Sequence, residues 1–144
     1  MTGLHHNPSI TDLIPHRGRM LLIQEIVRID GNAAVSRAVV SDHWPLTGDS
    51  GVSPLLIVEL VAQTSGLSNG LDRLIQEGQG TETKGWLVGI KKAAFFTDAL
   101  ALGAVVETRA ENRFKFEGFR EIEGSSSIDG KLVGQVTLQV VRAD

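Results

Sequence analysis

The chain has 144 residues, 42% of them hydrophobic and 22% charged, and a formal net charge of −3. That is enough chain for one ordinary domain around a single core, and the acidic balance argues against a nucleic-acid binder. The absence of cysteine excludes disulfides, thiolate nucleophiles and Cys-ligated zinc or iron–sulfur sites.

The opening Met1-Thr2-Gly3-Leu4-His5-His6 lacks the basic and apolar regions of a signal peptide. No apolar run approaches the roughly 20 residues that span a bilayer. The expected location is the cytoplasm, with His5 and His6 expected to be disordered. No internal repeat or low-complexity tract divides residues 1–144, so one domain is expected.

A short helix is predicted over about residues 9–14: Ser9 caps it, Asp12 follows three residues on, and Pro15 stops it. Residues 20–30 read as a strand, Asp30-Gly31-Asn32 as a turn, and residues 33–40 as the returning strand. A loop with Pro45, Gly48 and Gly51 follows over 41–53.

Ser53-Pro54 is a strong helix start, a cap followed by proline in the first turn. The helix is predicted over about 54–77, ending before Gly78-Gln79-Gly80. Those three residues read as a loop, since no phosphate-cradling helix start follows them. The first half of the helix is apolar nearly all round and so is expected to be buried. Ala62, Ser65, Gly66, Ser68 and Gly70 would let a sheet approach it closely.

Only strands are predicted beyond. The first covers residues 85–96, with Lys91-Lys92 on a solvated edge. In the next, Glu107, Arg109, Glu111, Arg113, Lys115 and Glu117 alternate with Val106, Thr108, Ala110, Asn112, Phe114 and Phe116. That period of two predicts one wet face and one covered face. Ile128-Asp129-Gly130-Lys131 is a hairpin turn of the Asp-Gly type. Beyond it, Leu132, Gly134, Val136, Leu138 and Val140 fall on one side. The order β-β-helix-β-β-β-β predicts an α+β fold, an antiparallel sheet wrapped on one long helix.

Two residues stand out as chemistry. His43 lies in the polar loop Ser41-Asp42-His43-Trp44-Pro45, and Glu59 interrupts the run Pro54-Leu55-Leu56-Ile57-Val58-Glu59-Leu60-Val61-Ala62. A carboxylate in such a run must be paired or protonated, and an imidazole exchanges protons near neutral pH. Together they supply a candidate base and a candidate acid. His16 is expected to fix the N-terminal turn structurally. Gln63, one turn after Glu59, either orients it or packs.

These residues resemble a known family. Leu13-Ile14-Pro15-His16-Arg17 followed by Met20-Leu21-Leu22-Ile23 is similar to the opening motif of the hot-dog-fold β-hydroxyacyl-acyl-carrier-protein dehydratases. His43-Trp44-Pro45 resembles their His-Phe-Pro. Leu56-Ile57-Val58-Glu59-Leu60-Val61-Ala62-Gln63 resembles their helix motif, and Gly89-Ile90-Lys91-Lys92-Ala93-Ala94-Phe95 with Gly103 a later strand and turn.

The resemblance covers roughly residues 9–142. It implies a hot-dog fold and a homodimer, or a higher oligomer built from dimers, joined edge to edge; the 85–96 strand is the candidate edge. Sites would lie at the dimer interface, with the His from one subunit and the acid from the other. It further implies dehydration of a β-hydroxyacyl thioester, on acyl carrier protein or coenzyme A, in fatty-acid-like or polyene-like biosynthesis, with no cofactor and no metal. His43 would take the C2 proton. Glu59, kept partly protonated by apolar surroundings, would give one to the leaving hydroxyl. Trp44, Leu55, Leu56, Gln63, Phe95 and Phe96 would bind substrate.

The chain departs from the family in several places. The loop between His43 and Glu59 is longer, Asp42 replaces a glycine, and Gln24 stands where an Asp is common. Pro54 falls where a glycine donates its N–H to the thioester carbonyl. Proline has no N–H, so the amides of Leu55 or Leu56 would have to serve. The departures keep two alternatives in view: a hot-dog thioesterase using Glu59 alone, and a catalytically silent subunit that binds a carrier or partner.

Overall fold

The structure, a computed structural model, describes residues 8–78 and 85–142. His5, His6 and the Gln79-Gly80 part of the predicted loop lie outside the described residues.

The predicted N-terminal helix forms as a single turn, α1 (Ile10–Leu13), where the Asp12 carboxylate accepts the Ser9 N–H at 2.9 Å. The first strand is shorter than expected: β1 spans Glu25–Asp30 and pairs with β2, Ala33–Val39. Residues 18–20 form a 3₁₀ turn instead. Leu22 and Ile23 are consecutive and both buried, because their amides bond to the Gln63 side chain rather than to a strand. Within the predicted loop a small hairpin forms, β3 (Thr47–Gly48) with β4 (Gly51–Val52).

The long helix α2 covers Leu56–Glu77 and stops at Gly78, which takes φ +86°, a backbone state glycine reaches at little cost. Strands β5 (Gly85–Phe95), β6 (Val105–Phe116), β7 (Phe119–Ile128) and β8 (Lys131–Arg142) complete the sheet. Its order is β1-β2-β6-β7-β8-β5, antiparallel throughout. The turn between β7 and β8 has positive φ at both Asp129 and Gly130, as the Asp-Gly pair predicts.

The predicted alternation in β6 holds from Val106 to Asn112 and then fails. A register shift falls after Asn112, and Phe114 and Phe116 are exposed while Lys115 between them comes within 3.7 Å of Asp72 on α2. A second shift, at Ser126/Ser127, buries Val133 next to Gly134 and turns Leu132 outward.

The small residues of α2 also act differently from expectation. A Cβ on Gly70 would lie 2.1 Å from the Leu13 carbonyl oxygen, and one on Gly66 2.7 Å from Ile14 Cγ2. They admit α1, not the sheet. The sheet reaches α2 through its own glycines: Gly124 faces Val61, and Gly134 faces Ile57.

Candidate active site

The start of α2 is tightly wound. Ser53 Oγ accepts the Leu55 N–H at 3.2 Å and Ser53 O the Leu56 N–H at 3.1 Å. The amides of Ile57 and Val58 bond to the carbonyls of Pro54 and Leu55. The two amides expected to replace the glycine donor are thus engaged by Ser53 within the chain.

Glu59 sits in the first turn of α2, where the helix dipole favours an anion. Its Oε1 accepts two hydrogen bonds, from His16 Nε2 at 2.9 Å and from Gln63 Nε2 at 2.9 Å. Gln63 is fully buried and held on all sides: Nε2 also donates to the Met20 carbonyl at 2.7 Å, and Oε1 accepts the amides of Leu22 and Ile23. Gln63 thus both touches the Glu59 carboxylate and ties residues 20–23 to α2. Arg17 fastens the turn carrying His16, donating to the carbonyls of Thr11, Ile14 and His16 at 2.7–2.9 Å. The Pro-His-Arg segment and the Glu-to-Gln helix segment are therefore direct partners in space.

This arrangement corrects the expected charge of Glu59. Burial pushes its carboxyl up, but the hydrogen bonds from His16 and Gln63 and the attraction of the His16 ring outweigh that, leaving it below its ordinary value. Glu59 rests ionised, with Oε1 engaged. Among the described residues, only His16 and Gln63 hydrogen-bond it. It opens into a cleft of about 290 Å³ running between the Pro15-His16 wall, the α2 face from Glu59 to Arg73, and Val140 of β8.

His43 stands elsewhere in the chain. Its side chain is 91% exposed and lies 3.7 Å from Asp42, while its carbonyl accepts from Arg19 Nε at 2.8 Å. The other expected substrate-binding residues do not line the Glu59 cleft of the single chain. Trp44 is buried in the core with Leu56, Phe95 packs against that core, and Leu55 and Phe96 are exposed. The residue that sequence reasoning undervalued is His16. Its signal was its place in the Pro-His-Arg motif, which brings its Nε2 within 2.9 Å of Glu59 Oε1.

A curved antiparallel sheet around one helix, with a carboxylate at the helix start opening into a cleft, is the hot-dog architecture. The dehydratase heterocomplex ApeI:P from Xenorhabdus doucetiae shares it at a TM-score of 0.86 and 20% identity, over 96% of this chain and 93% of that one. So does a hypothetical thioesterase with coenzyme A from Streptococcus pneumoniae TIGR4, at 0.62 and 16%, over 83% and 84%.

Within that architecture the chain belongs to the ApeP-like family, described as ApeP dehydratase, which it matches over residues 8–144. It is also similar to the 3-hydroxyacyl-acyl-carrier-protein dehydratase FabZ of Agrobacterium fabrum, 30% identical over 131 residues, 81% of this chain and 80% of that protein. The same enzyme of Rickettsia akari is 27% identical over 141 residues, 89% and 93%. The hot-dog fold and the dehydratase class expected from the motifs are both borne out.

Proposed function

We propose that the protein eliminates water from a β-hydroxyacyl thioester presented on acyl carrier protein, giving a trans-2-enoyl thioester, in the cytoplasm and as a homodimer. The observation that carries this reading is the pinned Glu59 carboxylate opening into the cleft along α2. The family membership and the FabZ relatives support the substrate class. No helix among the described residues is long and apolar enough to cross a membrane.

In the proposed site, Glu59 of one protomer meets His43 of the partner subunit. The exposure of His43 suits delivery across an interface better than a role inside its own chain. His43 takes the C2 proton, and the C–H electrons form the C2–C3 double bond as the C3–O bond breaks. The imidazolium returns the proton to the departing hydroxyl, which leaves as water. Glu59, being ionised, accepts a hydrogen bond from the C3 hydroxyl and holds it in line. Leu55 and Phe96, both exposed on the single chain, border the acyl chain in the assembled dimer.

The test supplies β-hydroxyacyl thioesters of several lengths, on carrier protein and on coenzyme A, and follows enoyl absorbance together with free thiol. Enoyl product supports the proposal, and thiol release alone replaces it with a thioesterase. His43→Ala and Glu59→Gln should each lose about 10²–10⁴-fold, and mixing the two inactive variants should restore part of the activity. Failure of the mixture to recover would remove the shared site.

One observation favours a second reading. Pro54 lacks an N–H, and the amides of Leu55 and Leu56 are held by Ser53, so the chain alone has few donors for a thioester carbonyl. That suits a subunit completed by a different hot-dog chain. The Xenorhabdus doucetiae neighbour is itself a heterocomplex. Turnover by the purified protein alone rejects this reading.

A further inference from the structure

We propose that His16 is a positioning residue of the reaction, fixing which oxygen of Glu59 faces the substrate. The inference rests on the dehydratase reading above and deepens it.

The geometry is specific. Glu59 Oε1 is the shared acceptor of His16 Nε2 and Gln63 Nε2, both at 2.9 Å. Two donors converging on one oxygen leave the other oxygen free to meet a ligand and stop the carboxylate from rotating. Gln63 approaches from the protein interior, and His16 approaches from the cleft wall, where its side chain is only 28% exposed.

His16 is itself held by its neighbours. Arg17 clamps the backbone on both sides of it, through the Ile14 and His16 carbonyls. Because Nε2 faces the carboxylate, it carries the proton that makes the hydrogen bond. Nδ1 is buried and meets no hydrogen-bond partner among the described residues.

The remaining charged groups of the cleft are Asp72, Arg73, Glu77, Lys115 and Arg120. Lys115 lies 3.7 Å from Asp72, and Arg120 donates to the carbonyls of Glu117 and Phe119. Among the described residues, the hydrogen bonds that orient the Glu59 carboxylate come from His16 and Gln63.

The experiment compares His16→Gln, which keeps an N–H donor, with His16→Leu, which removes it. Thermal melts are run first to confirm that both are folded. Two readouts follow: the pH profile of kcat, and the titration of the Glu59 carboxyl carbon by NMR in ¹³C-glutamate-labelled protein, assigned with Glu59→Gln. The leucine variant should lose about 10²-fold in kcat, the scale of a misplaced catalytic group. Its Glu59 titration should move to higher pH. The glutamine variant should recover most of the rate.

A leucine variant with wild-type rate and titration overturns the proposal. A glutamine variant as inactive as leucine overturns it too, by giving the imidazole a proton-transfer role. The NMR titration reads the His16–Glu59 contact even where no thioester turns over. Failure of the dehydratase reading is therefore distinguishable from failure of this one.

Discussion

At the scale of single residues, Glu59 ties stability to chemistry. A carboxylate left in an apolar helix face would be relieved by leucine, but this one accepts hydrogen bonds from His16 and Gln63. Glu59→Leu should therefore cost on the order of 1–2 kcal/mol from the donors left without an acceptor, and Glu59→Gln should cost less, since its amide oxygen can still accept. Melts of both variants beside wild type check this. The pH dependence follows in sign. The carboxyl is depressed in the folded state, so its contribution is complete above the ordinary glutamate range and is lost as pH falls through the depressed value. The stability gap between wild type and Glu59→Gln should close in that acid window. Glu59 was legible in the sequence as a carboxylate in an apolar run, whereas its partner was not. His16 lies 43 positions away (59 − 16), and no periodicity links a turn to a helix at that distance.

At the scale of elements, the helix start, the Asp-Gly hairpin and the alternation of β6 as far as Asn112 were legible because each rests on local chemistry. The β1 boundary was not, since a side chain from α2 takes the amides that a ladder would have used. Nor was the α1–α2 contact, where small residues looked like a seat for the sheet. That contact makes a clear prediction. Gly70→Ala should destabilise by about 1–3 kcal/mol despite alanine's better helix propensity, because its Cβ would meet a backbone carbonyl that cannot move aside. Gly66→Ala meets only the tip of the Ile14 side chain and should cost less. Denaturant midpoints of the two variants give the comparison. The reverse order would mean that α1 is not docked as described.

At the scale of the whole molecule, β5 forms one edge of the sheet and presents Leu87, Val88 and Ile90, each about half exposed. An apolar edge of this kind invites pairing. Under the proposed function the chain should sediment as a dimer at micromolar concentration, and Val88→Lys should shift it toward monomer with a parallel loss of turnover. A wild-type monomer would remove the shared site.

The glycines under α2 bear on how this fold is reached in time. The β6–β7–β8 meander is joined by short turns and can form early. The two flanking strands close only over long loops, β2 meeting β6 no nearer in sequence than Val39 with Val105. Yet Gly124 and Gly134 leave the inner face of the meander without side chains where Val61 and Ile57 must seat. The gaps over these two glycines therefore stay unfilled until α2 arrives with Val61 and Ile57. Helix and central strands should then condense together, with β2 and β5 zipping on afterwards, an expectation that φ-values at Val61 and Ile57 check. The last strands to dock are also those nearest the edges, so slow docking would prolong the exposure of unpaired backbone.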